Sequence, residues 1–328
     1  INHEQGRHDQ LKAFYFDFLG CAVDPRKQEN IEKGRQTLWA NIGAHQFHLP
    51  EGKPQAQVLK GRVRLSYPDV SALESQWNSR QENNEALGES KFQIKKRSDT
   101  SALEVIDPWG TVFEICETST TEHGGRDERG LQSGGDTSLG VGIQDLLFYA
   151  PSNANMAGIA RFYDQILDTP VLKLSDQQCV VSMGPYQTLT FQRLNSHDDE
   201  IQPGTDTNTN NMHVDLRDEP NSNPEGKPFF PSNYGPHISL YIRDIRATYQ
   251  RAAKLGCVYV NPRFKRRAYN EEEVVKDCMF RCLDIVDPEN VEAGAILRIE
   301  HEVRSVLQAN GSLYKSCPFD QAPSGCVI

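Results

Sequence analysis

The residues able to do chemistry fall at alternate positions of short β-prone runs. Such runs are Arg62-Val63-Arg64-Leu65-Ser66-Tyr67, Val112-Phe113-Glu114-Ile115-Cys116, His237-Ile238-Ser239-Leu240-Tyr241-Ile242 and Leu297-Arg298-Ile299-Glu300. Side chains of a strand point alternately to its two faces. If Val63, Leu65, Tyr67, Phe113, Ile115, Ile238, Leu240, Ile242, Leu297 and Ile299 pack against helices, one shared face carries Arg62, Arg64, Glu114, His237, Tyr241, Arg298 and Glu300. The same reading turns Asp145, Leu147 and Tyr149 of the run 142–150 to that face, together with Gln46 and His48. Imidazoles and carboxylates can act as general bases or hold a divalent metal. Guanidiniums either pair with Glu114 and Glu300 or recognise a carboxylate or phosphate. Glu114 therefore reads as a ligand, a base or a counter-ion to Arg62. His48 reads as a ligand-contacting residue or a hydrogen-bonded strand histidine.

The elements that must position these residues recur along the chain. A helix over 7–19 carries Leu11, Phe14, Tyr15, Phe18 and Leu19. Strands are expected at 37–42 and 45–49, split by Gly43-Ala44, and at 61–67. Asp69 is placed to cap a helix containing Val70, Leu73 and Trp77. Strands at 91–97 and 101–106 lead through Asp107-Pro108-Trp109-Gly110 into a strand ending near Glu117. Residues 118–140 are a polar linker. The order then repeats: strand 142–150, helix 155–167, strands 171–175, 178–183 and 186–193, strand 237–242, helix 244–255 and closing strands. Phe14-Tyr15-Phe16-Asp17-Phe18-Leu19-Gly20 is echoed by Phe162-Tyr163-Asp164-Gln165-Ile166-Leu167-Asp168, and the first Asp-Pro turn by Asp287-Pro288. Modules at 1–117 and 141–303 follow, the first with its opening strand missing or truncated. The second contains a polar insertion at 195–236, and a tail runs from 304 to 328.

Composition narrows the classes. The formal charge of −10 over 328 residues argues against a general nucleic-acid binder, which needs a basic face. No apolar run approaches the roughly 18 residues of a membrane span. Eight cysteines without a CxxC pair read as reduced thiols of an intracellular protein, cytoplasmic or organellar. Cys278 and Cys282 are spaced to share a strand face. His197, His213 and Asp215 fall in the polar insertion and read as loop residues.

The helix motif FYxxxLG, the run Trp39–Leu49, Tyr67-Pro68-Asp69-Val70 and Asp107–Ile115 together resemble the vicinal oxygen chelate superfamily of glyoxalase I, extradiol dioxygenases and bleomycin-resistance proteins. Asp284–Pro288 followed by Ile299–Ser305 further resembles an uncharacterised glyoxalase-like subgroup. The resemblance implies an α+β fold of paired βαβββ modules, forming curled mixed sheets around a cavity. It also implies metal-ligand positions on the inward faces. Glu114 matches the terminal glutamate and His237 a second histidine, whereas Asp145 stands for the usual first histidine. Arg298 and Arg62 occupy positions where ligands or small residues are usual, with Glu300 placed to neutralise Arg298.

On this basis Glu114 and His237 are the catalytic candidates, and Asp145, His237 and Glu300 a candidate set for one divalent Fe, Zn, Ni or Mn. His48, Arg62, Arg64, Tyr149, Tyr241 and Arg298 are ligand-binding candidates. The expected function is binding of a small oxygenated, anionic metabolite between the strands, with a lyase or dioxygenase activity if a metal is held. A metal-free sequestering module and a non-catalytic subunit of a complex stay open, as does a homodimer.

Overall fold

The computed structural model describes residues 1–33, 37–51, 56–80, 85–97, 102–118, 135–195, 236–261, 267–314 and 322–328. His197, His213, Asp215 and nearly all of the 195–236 insertion lie outside these residues. The chain divides into two compact units, Ile1–Phe148 with Gly184–Thr190, and Tyr149–Met183 with Phe191–Ile328. Both are α+β with open, mixed sheets.

The first unit begins with α1 (His8–Lys12), which widens into a π-helical turn over Ala13–Phe18. The wide turn is closed by Leu19 N–H donating to the Phe14 carbonyl at 2.9 Å. Phe14 and Tyr15 within it are both fully buried. Next come β1 (Ala22–Val23), a 3₁₀ turn at Pro25–Lys27, α2 (Gln28–Glu32), β2 (Thr37–Ile42) and β3 (His45–Pro50). They are followed by β4 (Gly61–Tyr67), α3 (Val70–Arg80), α4 (Glu85–Gly88), β5 (Gln93–Lys96), β6 (Leu103–Ile106) and β7 (Val112–Glu117). Asp69 Oδ1 accepts from Ala72 N–H at 2.7 Å, the expected cap of α3.

Strands β1-β2-β3 make one sheet. Residues 1–3 lie beside β3 in parallel, through the bridge His3–Glu51 and His3 N–H donating to the Pro50 carbonyl at 3.0 Å. The same parallel pairing joins β4 to β7, Arg62 lying opposite Val112 and Arg64 opposite Glu114. The second sheet runs β5-β6-β7-β4 and continues into β8 (Gly142–Ala150). Val63, Leu65, Phe113 and Ile115 are fully buried, as the alternation requires. They meet an aromatic cluster in which Phe14–Phe113, Phe18–Trp77 and Trp77–Phe92 have ring centroids 5.2 Å apart. Each such pair adds about 0.5–1.5 kcal/mol to ordinary apolar burial.

The second unit contains α5 (Met156–Leu167), the antiparallel pair β9 (Val171–Leu174) and β10 (Gln178–Gly184), and the end of β11 (Gln187–Arg193). It continues with β12 (His237–Ile242), α6 (Ile245–Lys254), α7 (Glu271–Asp277), β13 (Met279–Val286) and β14 (Ala295–Ser305). Its sheet has the order β12-β14-β13, with β12 parallel and β13 antiparallel to β14. Asn155 caps α5 by accepting from Gly158 N–H at 3.0 Å. Helix α5 ends at Asp168 in the left-handed region, φ 55°, and the equivalent Gly20 has φ 61°. The last position of the repeated motif is thus a helix stop in both copies; glycine fits it without strain, whereas Asp does so at some cost.

Helix α7 was not expected, because Glu271–Asp277 holds only Val274 and Val275 as apolar residues. Asn270 starts it by accepting from Glu273 N–H at 3.0 Å. Cys278 then ends it at φ 57°, before β13 begins. The expected sharing of a strand face by Cys278 and Cys282 therefore fails: one thiol belongs to a helix cap, the other to a strand.

Candidate functional site

In the first unit the register of β4 sets the site. Arg64 lies opposite Glu114 on one side and opposite Asp145 on the other, so all three project from the same face. The buried Glu114 carboxylate gathers three guanidiniums. Arg62 Nε lies 2.9 Å and Arg64 Nη2 3.1 Å from Oε2, and Arg97 Nη1 lies 3.6 Å from Oε1. The Glu114 side chain is 9 % exposed, while those of Arg62, Arg64 and Arg97 are 27 %, 33 % and 35 % exposed. The cations are reachable from solvent; their carboxylate is not. Glu104 stands opposite Glu114 on β6, with Lys95 of β5 opposite Glu104.

Asp145 is buried and pairs with no cation among the described residues. Its Oδ1 accepts from Thr188 Oγ1 at 2.6 Å and from Thr190 Oγ1 at 2.8 Å. Below Glu114, burial followed by the nearby Glu114 charge pushes the Cys116 thiol up, which keeps it protonated.

His48 sits on the other sheet of this unit. Its ring stacks on Trp39, with centroids 4.7 Å apart and planes at 12°. Arg26 and Lys27 also lie over the Trp39 ring, at 4.7 and 4.5 Å. The tautomer of His48 follows from a chain of acceptors. Asp24 Oδ2 accepts from Gln46 Nε2 at 2.7 Å, which turns Gln46 Oε1 toward His48 Nε2 at 2.6 Å. An amide oxygen only accepts, so Nε2 carries the proton. Burial works against the Asp24 carboxylate, but Arg26, bonded through Nε at 2.8 Å and Nη2 at 2.7 Å, holds it below its ordinary value.

The second unit presents a different face. Arg281 Nη1 lies 2.6 Å from Glu300 Oε1, and its Nη2 pairs with Glu302, which also pairs with Arg304. Asn261 Nδ2 donates to Glu300 Oε2 at 2.9 Å. These side chains are sealed: Arg281, Glu300 and Glu302 are 6 %, 3 % and 6 % exposed. Burial raises the Glu300 carboxyl above its ordinary value. Burial also opposes ionisation of Glu302, but Arg304 and Arg281 prevail and bring it down to about 2. His237 lies opposite Glu300 in the β12–β14 register, and burial pushes its imidazole down to about 3. Tyr241 lies opposite Arg304. Tyr149 is half-buried near the end of β8.

One expected pairing is corrected. Arg298 is neutralised by Asp284, whose Oδ1 accepts from Arg298 Nε at 2.9 Å, and not by Glu300. The register of β13 shifts between Cys282 and Asp284, which brings Asp284 opposite Arg298. The set Asp145, His237 and Glu300 does not emerge as a metal centre: among the described residues no group of three or more His, Cys, Asp or Glu could hold one. Both carboxylates of that set are engaged, one by two hydroxyls and the other by Arg281 and Asn261.

Arg97, Thr188, Thr190, Arg281, Glu302 and Arg304 were not singled out from the sequence. The alternation of Thr188 and Thr190 with the buried Leu189 and Phe191 would have found the two threonines.

No family model and no curated protein sequence matches the chain. Among solved structures, glyoxalase I from Zea mays aligns over 93 % of this chain and 90 % of its own at 10 % identity, with a TM-score of 0.47. Lactoylglutathione lyase from Agrobacterium tumefaciens aligns over 50 % and 92 % at 16 % identity, with a TM-score of 0.26. The 2,2',3-trihydroxybiphenyl 1,2-dioxygenase of Sphingomonas wittichii strain RW1 aligns over 93 % and 87 % at 10 % identity, with a TM-score of 0.27. No helix among the described residues is long and apolar enough to cross a membrane.

Proposed function

We propose that this chain is a vicinal oxygen chelate-type protein whose first unit binds a small anionic, oxygenated metabolite without a metal. The observation that carries this reading is the convergence of Arg62, Arg64 and Arg97 on Glu114. Glu114 stands where the family resemblance implies a metal-ligating glutamate. A divalent ion there would lie near three guanidiniums. At an effective dielectric of about 20, a dication roughly 5 Å from one guanidinium is repelled by about 6–7 kcal/mol. Three such repulsions oppose the attraction of the single Glu114 carboxylate for the ion, whereas a carboxylate or phosphate on the solvent side of the guanidiniums is attracted by them. Three guanidiniums contact the one carboxylate, and a guanidinium edge can donate two parallel hydrogen bonds to an incoming anion.

The second unit supports a structural role for its equivalent face. Arg281, Glu300 and Glu302 pair with one another largely out of contact with solvent, and Arg304, 17 % exposed, closes the network on Glu302. Breaking such a network by removing one partner is costly, which suits a scaffold better than a site that must open to a ligand.

Calorimetric titration of the chelator-treated full chain with small carboxylates and with inorganic phosphate tests the reading. At least one anion is expected to bind, with affinity unchanged by chelation and lowered tenfold or more in Arg62→Ala and in Arg64→Ala. Binding that needs a stoichiometric divalent ion, or that survives both substitutions unchanged, would overturn it.

A further inference from the structure

The face that carries the three guanidiniums extends to a second set of oriented groups on the neighbouring strands. Arg64 and Asp145 are a direct cross-strand pair. Beyond them β11, adjacent to β8, presents Thr188 and Thr190. Asp145 Oδ1 accepts both threonine hydroxyl hydrogens, at 2.6 and 2.8 Å. A carboxylate only accepts, so both hydrogens point toward Asp145 and neither is available to a ligand. Each threonine oxygen is thereby left to act as an acceptor. Thr190 is 6 % exposed and out of reach, whereas Thr188 is half-buried. The Thr188 hydroxyl also lies 3.4 Å from the Gln144 carbonyl, another acceptor, so that contact too leaves its lone pairs unused.

We infer that the first unit selects hydroxy acids, with the ligand carboxylate held by Arg62, Arg64 and Arg97 and a ligand hydroxyl donating to Thr188 Oγ1. This rests on the anion-binding reading above and adds a substrate class to it. The groups lie on one face. Strands β4 and β11 are two positions apart in the sheet, a backbone separation of about 10 Å that long arginine side chains shorten. The span therefore suits a compact molecule bearing both functions rather than two separate ligands. Inorganic phosphate would engage the arginines alone. An amine in place of the hydroxyl would also donate to Thr188, and its charge would meet the Asp145 carboxylate as well as the guanidiniums, so the hydroxy acids are compared with their unsubstituted parents.

The test compares matched acids on the full chain by calorimetry: lactate against propionate, then 3-hydroxybutyrate and 4-hydroxybutyrate against butyrate. At least one hydroxy acid is expected to bind about 5–10-fold more tightly than its parent, the worth of one neutral hydrogen bond. That preference should vanish in Thr188→Val and persist in Thr188→Ser, which keeps the hydroxyl and controls for loss of packing. Equal affinity for every hydroxy acid and its parent overturns the inference, as does a preference that survives Thr188→Val. In either case, loss of both acids in Arg64→Ala would still leave the anion site standing. If no acid binds, or if Arg62→Ala and Arg64→Ala change nothing, the anion reading falls and the inference with it.

Discussion

Replacing Tyr163 by Phe removes one oxygen, and the structure specifies what that oxygen does. His301 Nδ1 lies 2.6 Å from the Ile299 carbonyl, an acceptor, so Nδ1 carries the ring proton. His301 Nε2 is then a lone pair, and the Tyr163 hydroxyl, 2.6 Å away, must be its donor. Both side chains are fully buried, and burial pushes the imidazole down to about 4, which keeps it neutral near pH 7. Tyr163→Phe leaves Nε2 buried without a partner, at a cost of about 1–3 kcal/mol. Tyr15 holds the same place in the first copy of the motif and is equally buried, yet among the described residues its hydroxyl has no hydrogen-bond partner. Tyr15→Phe removes a hydroxyl that gains nothing from its surroundings, so it should be neutral or stabilise by up to about 1 kcal/mol. The two substitutions thus differ by at least about 1 kcal/mol, although both tyrosines follow a Phe at the same place of the repeated motif. Urea denaturation of both variants, compared at a common m-value, measures the difference. A Tyr15→Phe cost equal to that of Tyr163→Phe would refute the reasoning.

Two further outcomes are expected. His3 and His301 are both held near pKa 4, chiefly by burial. Their folded values lie below the unfolded value of about 6.5, so the unfolded state takes up protons first as pH falls. The stability that these neutral histidines contribute should be intact above pH 6.5 and be lost between 6.5 and 4, by up to roughly 3 kcal/mol for His301, while the buried Asp107, raised to about 6, acts in the opposite sense over part of that range. Urea unfolding of Asp107→Asn at pH 7, 5.5 and 4.5 checks this, and a flat profile in that variant would contradict it. Glu114→Gln removes the internal anion that competes for three guanidiniums, so it should tighten anion binding several-fold while lowering stability. Weaker binding in that variant, measured by calorimetry, would show that Glu114 itself contacts the ligand.

Much of the architecture was legible because it depends on local patterns. The run 61–67 alternates cleanly and is a strand over those residues; 142–150 likewise forms a strand throughout its length. Asp69 capped its helix as expected, since a side-chain oxygen three residues before a backbone N–H is a local feature. The π-helical widening at Ala13–Phe18 was not legible. The second copy buries Phe162 and Tyr163 equally from an ordinary α-helix, so the repeated Phe-Tyr pair does not by itself encode the wide turn.

The sequence by itself determined which side chains share a face, because alternation in a strand is a property of the backbone. It placed Arg62, Arg64 and Glu114 on one side of their sheet and Arg298 and Glu300 on one side of theirs. Which charge meets which was decided only by tertiary structure. Partners across a sheet depend on strand order and register, and one irregularity in β13 is enough to give Arg298 to Asp284 and leave Glu300 to Arg281. Tertiary structure also separated the two faces chemically. Glu114 collects arginines that keep about a third of their surface in water, whereas Glu300 lies in a network sealed from it. Burial depends on what packs above a strand, and no local pattern encodes it.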